Sequence, residues 1–125
     1  MAKEYFSPEG VYEPIGWSHV VKAGNTIYVA GMVGCDENQK LVAGGFEAQT
    51  VKVFENIERA LVASGASLRD VVKINIYFKN LEDVSRFREI RARYFNPPMP
   101  AATGVEVSRL VFGALVEIDV IAVID

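Results

Sequence analysis

Glu117 and Asp119 are two carboxylates on one face of an alternating apolar run, VEIDV. A carboxylate so placed can take a proton from water and return one to a departing group. The plain alternative is a solvated or ion-paired strand residue. His19 is the only histidine, and its titration range suits proton transfer near neutral pH. Without a Cys or His companion it makes a poor metal ligand, so a surface or structural role is expected. Trp17 lies two residues away, on the same side if the strand is regular. It can stack on a flat unsaturated ligand, or serve as subunit-interface core. Cys35 is the single cysteine, which excludes an intrachain disulfide. No histidine or basic neighbour activates it in sequence, so it reads as an inert buried thiol. Gly44-Gly45 precedes a helix but lacks a phosphate-loop pattern.

These residues sit in a chain of 125, with 13 basic against 16 acidic side chains and a net charge of −3. About half the residues are apolar, enough for one core, and one domain over 1–125 is expected. A mildly acidic chain has little general attraction for phosphate backbones, so no nucleic-acid partner is expected. The N-terminal MAKEYFSPEG lacks an apolar signal core, and no apolar run approaches the roughly 20 residues of a membrane span. The expectation is a soluble protein of a reducing compartment, most simply the cytoplasm, with no membrane partner.

The elements that must position these groups follow from periodicity. Trp17–Lys22 and Thr26–Val33 flank Ala23-Gly24-Asn25 and predict a hairpin. Ala48, Val51, Phe54, Ile57 and Leu61 recur at helical spacing, predicting a helix over 46–64 that stops at Gly65. Asp70–Lys79 alternates as a strand, with Val72, Ile74, Ile76 and Phe78 on one face. Asn80 resembles an N-cap to a second helix with Leu81, Val84, Phe87, Ile90 and Tyr94 as its apolar stripe. Arg86, Arg88, Arg91 and Arg93 fill its other positions, most of them solvated or paired with acids such as Glu89. Asn96-Pro97-Pro98 ends that helix, and strands follow over 101–108 and 114–124. The order β-β-α-β-α-β-β suggests a two-layer α+β domain: a mixed sheet of about six strands with both helices on one face. The strand after the first helix is expected to run parallel to its neighbour. Apolar residues on both faces of several strands suggest that other subunits cover the second face.

In PPMPAATGVEV, a proline cluster leads into a strand nearly emptied of side chains. Elsewhere YVAGMVG, EAQTVKVFENIERALVASGAS, DVVKINIYFKNLEDVSRFREI and GVEVSRLVFGALVEIDVIAV make nearly the whole chain resemble the Rid family (reactive intermediate deaminases, also YjgF or L-PSP proteins). The resemblance implies a chorismate-mutase-like α+β fold and a homotrimer with sites in the clefts between subunits. It also implies hydrolysis of enamines and imines, such as 2-aminoacrylate, to a keto acid and ammonia, without metal or organic cofactor. In active members the segment after the proline reads Pro-Ala-Arg-Ser-Cys-Val, and its arginine grips the substrate carboxylate. Here Ala102 stands at the arginine and Gly104 at the cysteine. Trp17 replaces a site tyrosine, Ala30 replaces the serine before Gly31, and Arg88 falls where many members have asparagine. Glu117 matches the glutamate that positions the hydrolytic water.

The resemblance and its departures predict a small-molecule hydrolase of C–N bonds. Glu117 would be catalytic, and Trp17, Ala30, Gly31, Arg88, Ala102 and Gly104 would line the substrate site. Loss of the arginine argues against simple 2-imino acids and for a larger or more apolar substrate, with Arg88 a candidate to restore the positive charge. The alternative is a non-catalytic ligand-binding or regulatory trimer. A ribonuclease reading finds little support in one basic helix face without interleaved aromatics.

Overall fold

The computed structural model describes residues 2–125. Its strands are β1 (Lys3–Phe6), β2 (Val20–Ala23), β3 (Thr26–Val33), β4 (Val71–Phe78), β5 (Ala101–Glu106) and β6 (Val116–Val123). Helix α1 (Gly45–Ala63) joins β3 to β4, and α2 (Val84–Arg91) joins β4 to β5. The strands form one mixed six-stranded sheet in the order β1-β2-β3-β6-β4-β5. All neighbours are antiparallel except β4 and β5.

Alternation sorts the sheet into two faces. Ile27, Val29 and Met32 of β3, Ile74, Ile76 and Phe78 of β4, and Val116, Ile118, Val120 and Ala122 of β6 are buried. They share a core with Val53, Phe54, Ile57 and Leu61 of α1 and Phe87 and Ile90 of α2. Phe54 also stacks on Tyr94, with ring centroids 4.7 Å apart. The opposite face carries Tyr28, Asn75, Tyr77, Glu117, Asp119 and Ile121, none of them fully buried.

Several expectations need correction. A further strand, β1, pairs with β2, from Lys3 opposite Ala23 to Phe6 opposite Val20. Its side chains are mostly exposed, so it left no apolar alternation to read. The strand expected from Trp17 begins only at Val20, because the chain bends through Ile15, Gly16 and Trp17 and again at His19. The hairpin closes as foreseen over Gly24-Asn25, with Gly24 at φ +60°, as a two-residue turn with glycine first requires.

Strand β4, which follows α1, does run parallel to a neighbour, β5, and the two are joined through α2; on its other side β4 meets β6 antiparallel, which separates it from β3. In β4 the register slips between Val71 and Lys73. That bulge turns Val71 into the core and leaves Val72 exposed, against the simple alternation. Asn80 does cap, but the cap serves a short 3-10 turn, Leu81–Asp83, that leads into α2; its side chain accepts from the Glu82 amide at 3.1 Å.

Candidate functional site

On its open face the sheet carries a cleft of about 460 Å3 with Glu117 in its wall. A bulge in β3 makes room for it. Val29 opposes Val120 and Met32 opposes Ile118, so three steps along β3 match two along β6. The extra residue falls at Ala30-Gly31, beside the segment that bears Glu117. The Ala30 amide donates to the His19 carbonyl at 2.9 Å, which ties the bulge to the entry of β2.

Gly31 then lets the carboxylate lie down. A Cβ at this position would collide with Oε2 of Glu117, so only a bare backbone accepts the side chain in this pose. The carboxyl of Glu117 is raised above its ordinary value of 4.5, first by burial and then by the like charge of Asp119. Among the described residues neither a cation nor a hydrogen-bond donor offsets that shift. Asp119 is differently placed. Its Oδ1 accepts from Asn75 Nδ2 at 2.8 Å and its Oδ2 from the Tyr77 hydroxyl at 3.0 Å. One carboxylate is thus tied down by donors, and its neighbour, among the described residues, is not.

Tyr12 forms the floor. It is buried, and its hydroxyl accepts from the Val33 amide at 3.2 Å, on the residue that faces Glu117 in the β3–β6 ladder. Its carbonyl takes the Nε2 proton of His19 at 2.6 Å. Of the two roles expected for His19, surface or structural, its burial excludes the surface one: its ring is edge-on to Trp17 at 4.7 Å and to Tyr12 at 5.3 Å. Trp17 itself is 45% exposed and lines the cleft with Ala30 and Gly31. Ile15, Gln39, Val111 and Phe112 complete the wall, and none of these, nor Tyr12, was singled out by the sequence. They come from irregular segments in which no periodicity marks a side chain's direction. Only the bulkiness of Tyr12 and Phe112 among glycines and prolines hints at a packed role.

Four of the expected residues, Glu117, Trp17, Ala30 and Gly31, therefore share one cleft. The other three do not join them within one chain. The β4–β5 register sets Ala102 opposite Ile74 and Gly104 opposite Ile76, whose side chains face the helices. Ala102 and Gly104 line a separate groove of about 390 Å3 with Phe78, Phe87, Arg88 and Arg91. Its floor is tight: a Cβ at Gly104 would stand 3.2 Å from the Phe78 ring. Of the four arginines at 86, 88, 91 and 93, the one that meets an acid among the described residues is Arg93, just beyond the end of α2, at 3.3 Å from Glu47. Arg91 lies over the Phe87 ring, 5.6 Å from its centroid. Cys35 is fully buried, and burial, followed by the neighbouring Asp36, raises its thiol above 9.0. Among the described residues no three His, Cys, Asp or Glu side chains gather where they could hold a metal. Among the same residues no helix is long and apolar enough to cross a membrane.

A family model described as Endoribonuclease L-PSP matches residues 12–124. The chain belongs to this family, the Rid/YjgF proteins. It is 44% identical over 124 residues to a RutC family protein of Pyrococcus abyssi, covering 98% of each chain. It is 36% identical over 115 residues, 90% of each chain, to a protein of Dermatophagoides farinae named 2-iminobutanoate/2-iminopropanoate deaminase. Among solved structures, RidA from an Antarctic Psychrobacter superposes with a TM-score of 0.90 at 37% identity, over 96% of this chain and 98% of that one.

Proposed function

We propose that this protein is a cofactor-independent hydrolase of imines or enamines, with Glu117 as the group that manages water and protons. The observation that carries this reading is the half-buried carboxylate over Gly31, raised and, among the described residues, without a hydrogen-bond donor, in a cleft large enough for a small molecule. Glu117 takes a proton from water as the oxygen adds to the C=N carbon, and the nitrogen is protonated. Collapse of the carbinolamine then breaks the C–N bond, releasing ammonia and leaving a carbonyl compound. One group can serve as base and then acid when its raised carboxyl exchanges protons nearer the working pH.

In the same reading the chain works as a homotrimer, and the groove of Ala102, Gly104 and Arg88 from one copy meets the Glu117 cleft of another. The uncovered sheet face, with Tyr28 and Val123 exposed, supports such an assembly. With alanine at 102, the substrate is larger or more apolar than a simple 2-imino acid, and Arg88 supplies what positive charge remains.

The test is ammonia release from a panel of imines and enamines generated in situ, for wild type and Glu117→Gln. Equal release in both rejects the role of Glu117. A second reading, a non-catalytic ligand-binding trimer, is favoured by the joint presence of Trp17, Ala30, Ala102 and Gly104 where active relatives carry tyrosine, serine, arginine and cysteine. Saturable binding without turnover across the panel would establish it.

A further inference from the structure

The mouth of the Glu117 cleft is ringed by large apolar side chains left in the open: Ile15 is 80% exposed, Val111 58%, Phe112 53% and Trp17 45%. Single exposed apolar residues need no explanation, but four around one carboxylate form a patch. Among the described residues no lysine, arginine or histidine of the same chain lines this cleft, so within one chain its only charged wall is the carboxylate.

The backbone adds a second, independent observation. Among the described residues, the non-glycine side chains with positive φ are Gln39 at +64° and Phe112 at +61°, and both line this cleft. A bulky residue in the left-handed region is a genuine outlier, held there only when its surroundings over-determine it. Glycine would relieve that strain at no steric cost, and Gly113 beside it already adopts φ +70°. The strained turn Val111–Gly113 sets the Phe112 ring at the mouth it shares with Trp17.

We propose that Phe112 is a specificity-determining residue that, with Trp17, selects substrates bearing an aryl or similarly flat apolar group beside the reacting C–N bond. The inference rests on the hydrolytic reading for its chemistry but not for its binding. Two aromatic rings offer a flat group stacking or edge contacts that a methyl group cannot make. The carboxylate then faces the polar nitrogen end.

The chain has one tryptophan, so its indole N–H gives one cross-peak in a 15N spectrum, located at this cleft. Stable ketone product analogues serve as probes: 4-phenyl-2-butanone against 2-butanone, titrated into wild type, Phe112→Gly and Phe112→Tyr. In wild type and Phe112→Tyr the aryl ketone should bind about tenfold more tightly, and in Phe112→Gly that preference should fall to near unity. Equal affinities in wild type, or an undiminished preference in Phe112→Gly, overturn the proposal. So does a change of oligomeric mass in Phe112→Gly by light scattering, since the ring would then be a contact between copies. Aryl preference without turnover on the enamine panel would keep this proposal and reject the hydrolytic reading. Turnover without aryl preference would do the reverse.

Discussion

Replacing Gly31 by alanine separates the site from the fold that carries it. The new Cβ would overlap Oε2 of Glu117 and stand 3.0 Å from its Cδ and 3.3 Å from its Cγ. Comfortable contact needs about 3.5 Å or more, so the carboxylate must swing away by roughly 1 Å. Displacing a reacting group by that distance costs about 100-fold in rate, equivalent to about 2.7 kcal/mol in the barrier. The fold should hardly notice. Gly31 is not among the positive-φ glycines, so alanine adopts its backbone without strain. The atoms it meets belong to the end of a flexible side chain. Lowered entropy of the unfolded chain then favours alanine by about 0.4–1 kcal/mol, which offsets part of the cost of moving the carboxylate. The expected outcome is a kcat/KM for ammonia release about 100-fold below wild type, with Tm within about 4 °C. A Gly31→Ala protein with wild-type kcat/KM would refute the placement of Glu117 as the reacting group. One that no longer folds would show that the bulge, and not the carboxylate, demands glycine.

Glu117→Gln should lower kcat by about 10²–10⁴-fold and remove the acidic limb of the kcat/KM–pH profile, which in wild type lies above pH 4.5. It should also stabilise the protein at neutral pH. Folding raises this carboxyl, so the wild type is relatively favoured in acid and loses that advantage as pH climbs from 4.5 through the raised value. Denaturant titrations at pH 4 and 7 should show the variant's gain only at the higher pH. Ala102→Arg should raise kcat/KM for 2-imino acids relative to carboxylate-free imines by about tenfold, the worth of one charge-assisted pair, measured on the same substrate panel. Cys35 should react with a thiol reagent at pH 8 at least about 100-fold more slowly in the native protein than in guanidinium, because the reagent must wait for local opening.

Regular elements were legible where one face is buried. Helix α1 and strands β3 and β6 carry their apolar residues at the proper period, and their boundaries fell within two residues of expectation. Strand β1 was not legible, because Lys3, Glu4 and Tyr5 face solvent and pair only through backbone. The insertion of β6 between β3 and β4 was invisible too. Pairing order depends on contacts between residues far apart in the chain, on which local pattern is silent. At the site, Glu117 and Gly31 could be picked out because they lie on strands and match a family pattern. Phe112, Gln39 and Ile15 could not, since they stand on turns whose φ values no apolar period encodes.

The one-residue slip in β3 can also be viewed as arithmetic. Two residues, Ala30 and Gly31, stand between inward-facing Val29 and Met32, where a perfect ladder needs one. Excising either would leave every other side chain on its present face and restore an unbroken run of pairs with β6. For the sheet such a gap is close to a repair. For the cleft it removes either the amide anchored to His19 or the bare backbone under Glu117. A shortened β3 would therefore mark a copy of this fold in which stability and chemistry have parted company, recognisable from its length alone.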